Sequence, residues 1–335
     1  MATPAQPVIL VTGATGTIGK ELVKSLSQNY ATPTTPVTVR LFVRDENKAK
    51  QLFESLQSSH FHLEYVVGDL TQLSSVTVTN SALFEHVERI FLLTPDHPSQ
   101  AQIESEFIRV ALQYGASSLK QLIRLSGLGS SGDADANTFL RFHNDAERVV
   151  QKLIRKHNNK HSNHPITFII LRANLFIQNL INLGDAETIR SQGVFYRPKG
   201  IRGEPYFISH VDVRDIADLA AHFLSEPVEK YSPLYTHTYN VTGPDSLSYE
   251  ELAQLITKVV GKEVKVVEME EAEYASLLQQ VPELPSFMVL AMVKLFQFYK
   301  LNGVSANVHG DFKIVTGKNS RSVEDFLKEF KNAFL

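Results

Sequence analysis

The chain has 335 residues, a formal net charge of −3 and 43% hydrophobic residues, so it is long enough to bury a large core. The nearly balanced charge gives no electrostatic case for nucleic acid or an anionic membrane as a partner. The sequence contains no cysteine, which excludes disulfides, thiolate zinc sites and a cysteine nucleophile.

The N-terminal stretch at 1–7 has no basic flank and no long apolar region, so we expect no signal peptide. The most apolar late stretch, 287–299, contains Lys294 and Gln297 and is too short to cross a bilayer. We therefore expect a cytoplasmic protein that acts on a small molecule. The sequence leaves the oligomeric state open.

The first structural signal is an apolar run at 8–11, followed by Gly13, Gly16 and Gly19 and then by a helical pattern at 21–26. This order of strand, glycine-rich turn and helix is what a dinucleotide pyrophosphate needs. Gly13 allows the tight turn, Gly16 removes a side chain beside the phosphates, and Gly19 lets the helix pack closely on the strand. The same turn supplies three further predicted cofactor contacts, Thr15, Thr17 and Ile18.

A second strand is predicted at 37–43 and ends at Arg44. In a dinucleotide fold this strand end meets the adenosine ribose, where an acid binds the 2′-hydroxyl of NAD and an arginine accommodates the 2′-phosphate of NADP. Arg44, with Lys48 one helical turn later, favours NADP(H) over NAD(H). The alternative is that Arg44 is a solvated strand end and Asp45 caps the following helix.

Strands and helices alternate through the first half of the chain, which predicts a Rossmann-type, doubly wound parallel α/β sheet with helices on both faces. Further strands are predicted at 63–67, 89–93, 119–125 and 166–171, helices at 46–56, 100–114 and 138–155, and loops at 32–36 and 130–135. After Leu175 the alternation loosens, with helices predicted at 213–224, 248–260, 270–280 and 285–299 and strands at 238–241 and 264–267. We expect a cofactor-binding domain at 1–174 and a smaller substrate lobe at 175–335, interleaved with the same core as one structural unit.

Ligands bind at the carboxyl ends of the strands in such a sheet. These ends supply the remaining predicted cofactor contacts, which are Asp69, Leu70, Leu93, Thr94, Pro95, Ser126, Gly127, Ala173 and Asn174. Asp69 can accept from the adenine amino group, or it can simply cap its turn.

Two other patterns have both a functional and a structural interpretation. The three histidines at 156–165 can bind a metal, but they have no flanking acidic pattern, so a solvated loop is favoured and no metal site is predicted. An apolar stripe in the last predicted long helix can line a substrate pocket, although its helical spacing favours core packing. The stripe consists of Met288, Leu295, Phe296 and Tyr299.

Together these motifs resemble the NmrA-like branch of the atypical short-chain dehydrogenases/reductases, and within it the NAD(P)H-quinone-oxidoreductase-like subgroup. The resemblance runs from Val8 to about Phe326 and is carried by 11–19, 42–45, 68–70, 89–95, 124–126, 171–179, 210–217 and 239–244. It implies a Rossmann-type fold, a nicotinamide cofactor and often redox chemistry. The family also holds cofactor-sensing regulators with no known turnover.

Members of the wider superfamily carry a tyrosine acid with a lysine four residues later, on the helix after the fifth strand. If Glu147 is the acid that often follows, Phe139 takes the tyrosine place and His143 the lysine place. Phenylalanine cannot donate a proton, so the standard mechanism is absent. Ser126 matches the family serine at the end of the fifth strand, and we take Ser126 and His143 as the candidate catalytic residues.

A histidine such as His143 can donate a proton, hydrogen-bond the nicotinamide ribose or orient a water, with Glu147 one turn on to hold its ring. The alternative is a His–Glu pair on the helix face without chemistry. Phe176 and Asn179, just after the sixth strand, are predicted to lie near the nicotinamide and the substrate. The sequence thus predicts an NADPH-dependent oxidoreductase that reduces a small apolar acceptor, namely a quinone, an activated C=C or a C=N group. The alternative function is an NADP(H)-sensing regulatory protein without turnover.

Overall fold

The computed structural model of the protein describes residues 7–31, 36–75, 80–131, 138–199, 207–282 and 284–335. The predicted loops at 32–36 and 130–135 lie mostly outside these residues, as does most of the N-terminal stretch at 1–7.

The strands of the described residues form two sheets. In chain order they are β1 (Val8–Thr12), β2 (Val37–Val43), β3 (Phe61–Val67), β4 (Val87–Leu92), β5 (Gln121–Gly127), β6 (Thr167–Ala173), β7 (Val194–Pro198), β8 (His237–Val241) and β9 (Lys265–Met269). The larger sheet has the order β3-β2-β1-β4-β5-β6-β8, and its pairs β1–β2, β1–β4, β2–β3 and β4–β5 are parallel. This is the Rossmann strand order, so the predicted fold class is confirmed. Strands β7 and β9 pair in parallel in a second sheet.

The helices of the described residues are α1 (Thr17–Asn29), α2 (Glu46–Phe53), α3 (Asn80–Phe84), α4 (Gln100–Tyr114), α5 (Phe139–Lys160), α6 (Asn179–Asn182), α7 (Asp185–Gln192), α8 (Val213–Ser225), α9 (Tyr249–Val260), α10 (Glu271–Leu278), α11 (Ser286–Asn302), α12 (Asp311–Thr316) and α13 (Val323–Glu329). Capping interactions define the ends of several of these helices. Ser248 and Glu251 form a capping box at the start of α9, and the Gly115 N–H bonds Ala111 O at the end of α4. No helix among the described residues is long and apolar enough to span a bilayer.

Helix α5 continues through part of the predicted loop at 156–165 and ends at Lys160, not at Arg155. The prediction missed this extension because its support comes from outside the helix. Asn158 Nδ2 donates to Ile166 O at 2.9 Å, and the His157 Nε2 lies 3.2 Å from His164 O. Helix α1 also begins earlier than predicted, at Thr17, because Gly16 is its N-cap.

The chain folds into two compact units. Unit 1 comprises Met1–Ser126, His143–Leu171 and Ile216–Tyr239, and unit 2 comprises Gly127–Phe142, Arg172–Asp215 and Asn240–Leu335. The core of unit 1 packs α4 and α5 on β1, β4 and β5, with Leu10, Phe107 and Leu122 fully buried. The core of unit 2 packs α9, α11 and α13 around β7. The predicted domain boundary after residue 174 stays a prediction.

Candidate functional site

The turn after β1 depends on its glycines at two positions. Gly13 has φ +64°, in the left-handed region that glycine alone enters without strain. A Cβ on Gly19 would lie 2.2 Å from Gly13 O, so no side chain fits there. The requirement at Gly19 thus comes from the backbone of the turn and not, as predicted, from the packing of the helix on the strand.

The start of α1 is left open toward an anion. Its N-cap, Gly16, offers no side-chain oxygen, and no acidic residue lies in the first turn. The first backbone N–H groups of the helix therefore keep their hydrogen-bonding capacity and the positive end of the helix dipole. This is the arrangement that binds a pyrophosphate in dinucleotide folds.

Thr12 ties this turn to the end of β4. Its Oγ1 donates to Leu93 O at 2.9 Å and accepts from Leu93 N at 2.8 Å. Leu93 also covers the turn, since a Cβ on Gly13 would lie 3.0 Å from its side chain. The structure thus brings the turn at Gly13 next to Leu93, the first of the predicted cofactor residues after β4.

The ends of β2 and β3 lie beside one another in the sheet. Asp45 caps α2 by accepting from Lys48 N at 3.0 Å, so the predicted cap is confirmed. Arg44 is exposed, and among the described residues no hydrogen bond or ion pair engages its guanidinium. Asp69 accepts from Thr71 N at 2.9 Å and Thr71 Oγ1 at 2.8 Å, which confirms its turn-capping role. Its contact with adenine stays a prediction.

Behind the ends of β4 and β5 lies a buried ion pair. Arg124 donates from Nε to Glu104 Oε2 at 2.6 Å and from Nη2 to Glu104 Oε1 at 3.0 Å, and the two side chains are 0% and 1% exposed. Thr94 Oγ1 donates to Glu104 Oε1 at 2.6 Å, and Gln100 Nε2 donates to Thr94 Oγ1 at 2.9 Å. The buried Arg124 Nη1 has no hydrogen-bond partner within the described part of the chain.

This network fixes the tautomer of His143. Its Nδ1 lies 3.3 Å from Arg124 Nη2 and 3.5 Å from Gln100 Nε2, and both of these nitrogens only donate. Nδ1 is therefore an acceptor, and the ring proton sits on Nε2, which lies 3.1 Å from Asp96 Oδ1. The ring is thus held between Arg124 and Asp96, with Nε2–H as its donor.

The second candidate catalytic residue, Ser126, is buried and donates to Glu147 Oε1 at 2.5 Å. Glu147 was one possible partner for the ring of His143, but its carboxylate accepts from Ser126, and the ring nitrogen Nε2 of His143 lies against Asp96. Ser126 and His143 both belong to unit 1. The buried partner of Ser126 is the carboxylate of Glu147, and that of His143 is the guanidinium of Arg124.

The predicted residues after β6 belong to unit 2. Asn174 Nδ2 donates to Ser209 O, Ser209 Oγ and Ser305 O at 2.9–3.0 Å, and its Oδ1 accepts from Leu175 N. The Asn174 side chain thus joins three chain segments. Ala173 O accepts from Leu128 N at 2.8 Å. Their cofactor contacts, and that of Gly127, stay predictions.

Unit 2 contains a cavity of about 330 Å³, and both predicted substrate residues, Phe176 and Asn179, line it. Of the apolar stripe in α11, Phe296 lines the cavity, whereas Leu295 and Tyr299 are buried in a separate cluster with Leu140. The stripe is therefore divided between a cavity wall and core packing, and the role of this cavity as a substrate pocket stays a prediction.

A second buried ion pair borders this cavity. Arg197 donates to both carboxylate oxygens of Asp185 at 2.8 and 2.9 Å. Its guanidinium lies 4.8 Å from the ring of Phe195 and 5.0 Å from that of Tyr249. Burial and the charge of Arg197 lower the pKa of His210, another lining residue, to about 3.

Sequence reasoning missed Arg124 with Glu104, Arg197 with Asp185, and Asp96. Arg124 stands in a strand that the sequence predicts, and a buried cation requires a buried carboxylate. That signal is present in the sequence for Arg124, whereas the strand of Arg197 was not predicted. Neither carboxylate partner can be identified from the sequence, because each comes from another element.

Comparison with known proteins gives a consistent result. Residues 5–327 match the NmrA-like family. The NAD(P)H azoreductase of Xenophilus azovorans is 29% identical over 98% of this chain and 99% of its own length. The NADPH complex of the quinone oxidoreductase QOR2 from Escherichia coli has a TM-score of 0.73 at 20% identity, covering 97% of this chain and 100% of that one.

A structure of Nmra, a negative transcriptional regulator in complex with NAD, has a TM-score of 0.69 at 14% identity over 97% of this chain and 95% of its own. At these identities the structural likenesses concern the fold. The predicted enzyme class, an NAD(P)H-dependent oxidoreductase, is confirmed by the named relatives. The chain belongs to the NmrA-like family.

Proposed function

We propose that the protein binds NADPH and reduces a small, apolar acceptor: a quinone, an activated C=C or a C=N group. The observation that carries this proposal is the open start of α1 behind a turn in which Gly13 has a left-handed backbone and Gly19 admits no Cβ. The exposed Arg44 and the buried Arg124 Nη1 without a partner among the described residues also fit an anionic, hydrogen-bonding cofactor.

Within unit 1 each group of predicted residues has a distinct task. Backbone groups at 13–19 bind the pyrophosphate, Arg44 and Lys48 bind the 2′-phosphate, and Asp69 and Leu70 bind the adenine. Leu93, Thr94, Pro95, Ser126 and His143 hold the nicotinamide half. The cofactor supplies the hydride when bound. The acceptor gains that hydride, and a proton from water completes its reduction.

Phe139 decides the class of acceptor. It packs edge-on against Phe142, with ring centroids 6.4 Å apart, and it offers no proton at the place of the family acid. A simple ketone needs an acid at its oxygen as the hydride arrives, whereas a quinone or an iminium needs less help. The lack of a proton donor at Phe139 also favours the second candidate function, an NADP(H)-sensing regulatory protein without turnover.

The first prediction concerns cofactor choice. NADPH should bind at least about tenfold more tightly than NADH, because each charge-assisted bond to the 2′-phosphate contributes about 1.5–3 kcal/mol. Arg44→Ala should remove most of that difference and leave NADH affinity unchanged. Calorimetric titration with both cofactors measures it, and Lys50→Ala, whose cation pairs with Glu46, is the control that should retain the preference. Equal affinities in the unaltered protein would refute the assignment.

The second prediction concerns His143. We infer that it positions the cofactor through Nε2–H, so His143→Ala should raise the KM for NADPH more than it lowers kcat. His143→Gln, which keeps an N–H donor and an acceptor for Arg124, should recover most of the loss. The rate should change little between about pH 6 and pH 8. If His143 instead donates a proton, both variants should lose about 10²–10⁴ in kcat.

The proposed function is tested by following NADPH oxidation with a panel of quinones, enones, imines and simple ketones. We expect turnover with the first three classes. Preference for simple ketones would overturn the acceptor class. Tight NADPH binding without turnover of any acceptor would favour the sensor.

A further inference from the structure

The cavity of unit 2 is small and largely apolar. Its walls include Phe176, Tyr249, Tyr274, Leu278, Met292 and Phe296. Its volume of about 330 Å³ lies at the lower end of the roughly 300–1,000 Å³ typical of small-molecule sites. A site of this size suits a ligand with one ring or two fused rings.

The cation that borders the cavity is already neutralised. Arg197 and Asp185 form a two-pronged pair in which the side chains are 7% and 16% exposed. Aromatic rings at 4.8 and 5.0 Å cover the guanidinium. Because both guanidinium Nη atoms donate to Asp185, the positive charge of Arg197 is already compensated, and an anionic ligand would have to compete with that carboxylate. The buried Nε, which has no partner among the described residues, remains a hydrogen-bond donor.

The other titratable residues that line the cavity add no unpaired charge. His210 is neutral near pH 7, since burial and the nearby Arg197 lower its pKa to about 3. Burial raises the pKa of the Tyr274 phenol, so it stays protonated. At the exposed edge, Glu187 pairs with Arg190. Each charged residue of the described lining therefore has a partner of opposite charge, although Arg190 itself does not line the cavity.

We propose that this cavity takes an uncharged aromatic acceptor of one or two fused rings and rejects acceptors that carry a sulfonate or a carboxylate. A buried anion without a counter-ion loses its hydration and gains no compensating charge. The inference rests on the proposed function in one respect, since it identifies the cavity ligand with the hydride acceptor.

The test measures binding and not turnover. The ligands are 2-naphthol and 2-naphthol-6-sulfonate, which share a ring system and are not substrates for hydride addition. In fluorescence titrations of the full chain, 2-naphthol should bind at least about tenfold more tightly. Equal or tighter binding of the sulfonate would overturn the proposal. Leu277→Trp, which places a larger side chain in the cavity, should weaken 2-naphthol binding. Unchanged affinity in this variant would show that the ligand binds elsewhere and would also overturn the proposal.

Replacing the carboxylate of Asp185 should change the ligand preference in the opposite direction. Asp185→Asn removes the carboxylate from Arg197, so the sulfonate should gain at least about tenfold in affinity. Glu263→Gln is the matched control and should keep the preference for 2-naphthol, because this carboxylate pairs with Lys265 at the surface and does not line the cavity. An unchanged preference in Asp185→Asn would contradict the role of the pair. If that variant does not fold, the comparison of the two ligands on the unaltered chain still decides.

The two proposals fail separately. If 2-naphthol is preferred but no acceptor oxidises NADPH, the proposed function fails and the cavity assignment stands. If quinones are reduced but their sulfonated forms react equally well, the cavity assignment fails and the proposed function stands.

Discussion

Gly16→Asp is expected to reduce NADPH affinity at least about 100-fold while leaving the fold intact. Gly16 is the N-cap of α1, with φ −79° and ψ 178°, a conformation that aspartate adopts readily. The new carboxylate would accept from the first N–H groups of the helix and repel the pyrophosphate. Two charges about 4 Å apart interact by about 4 kcal/mol near a protein surface. This energy is larger than the free energy that a hundredfold loss of affinity represents.

The same change should alter the free energy of unfolding by no more than about 0.5 kcal/mol, because aspartate is at least as good an N-cap as glycine. Calorimetric titration with NADPH and chemical denaturation measure the two effects. Gly310→Asp is the matched control. It is the N-cap of α12 in unit 2, where an added Cβ meets only a side-chain atom at 3.7 Å, and NADPH affinity should not change. Unchanged affinity in Gly16→Asp would refute the pyrophosphate site.

Glu104→Gln is expected to lower the free energy of unfolding by about 3–5 kcal/mol, the usual cost of leaving one member of a buried ion pair alone. The substitution keeps the shape of the side chain and can keep its bond to Thr94, but its amide nitrogen cannot accept from Arg124. The effect therefore reports the uncompensated charge of Arg124 together with the loss of one of its hydrogen bonds. Denaturant unfolding measures it. The double variant Glu104→Leu with Arg124→Met should recover most of the loss, because it removes both charges.

Glu106→Gln is the control for this prediction. Glu106 lies two residues further along α4 and is half-buried, so its replacement should change stability by no more than about 0.5 kcal/mol. If Glu104→Gln and Glu106→Gln were equally mild, the pair behind β4 and β5 would not be a desolvated ion pair. The inferred tautomer of His143 would then lose its support.

The cofactor turn was predictable because its requirements are local. Gly13 needs a left-handed backbone and Gly19 admits no Cβ, so the glycines themselves mark the turn. The cap by Asp45 and the capping box at Ser248 follow from the same short-range chemistry. The parallel sheet with helices on both faces followed from the alternation of strands and helices, whereas the order of the strands came from the structure.

The partners of buried charges were not predictable, because they come from distant elements. Arg124 pairs with Glu104, 20 positions away, and His143 meets Asp96 instead of the helical neighbour Glu147. Strand β7 was missed for the same reason. It pairs with β9, about 70 residues later, and carries the buried Arg197, which interrupts its apolar pattern.

Transfer of a labelled hydride tests whether the protein catalyses the reduction of an acceptor by NADPH. NADPH deuterated at C4 of the nicotinamide, on one face or the other, is mixed with the protein and an α,β-unsaturated ketone, and the deuterium is located in the products. We expect one of the two labels to pass to the β-carbon of the acceptor while NADP⁺ forms in equal amount. NADPH that binds tightly but keeps its deuterium with every acceptor would contradict it.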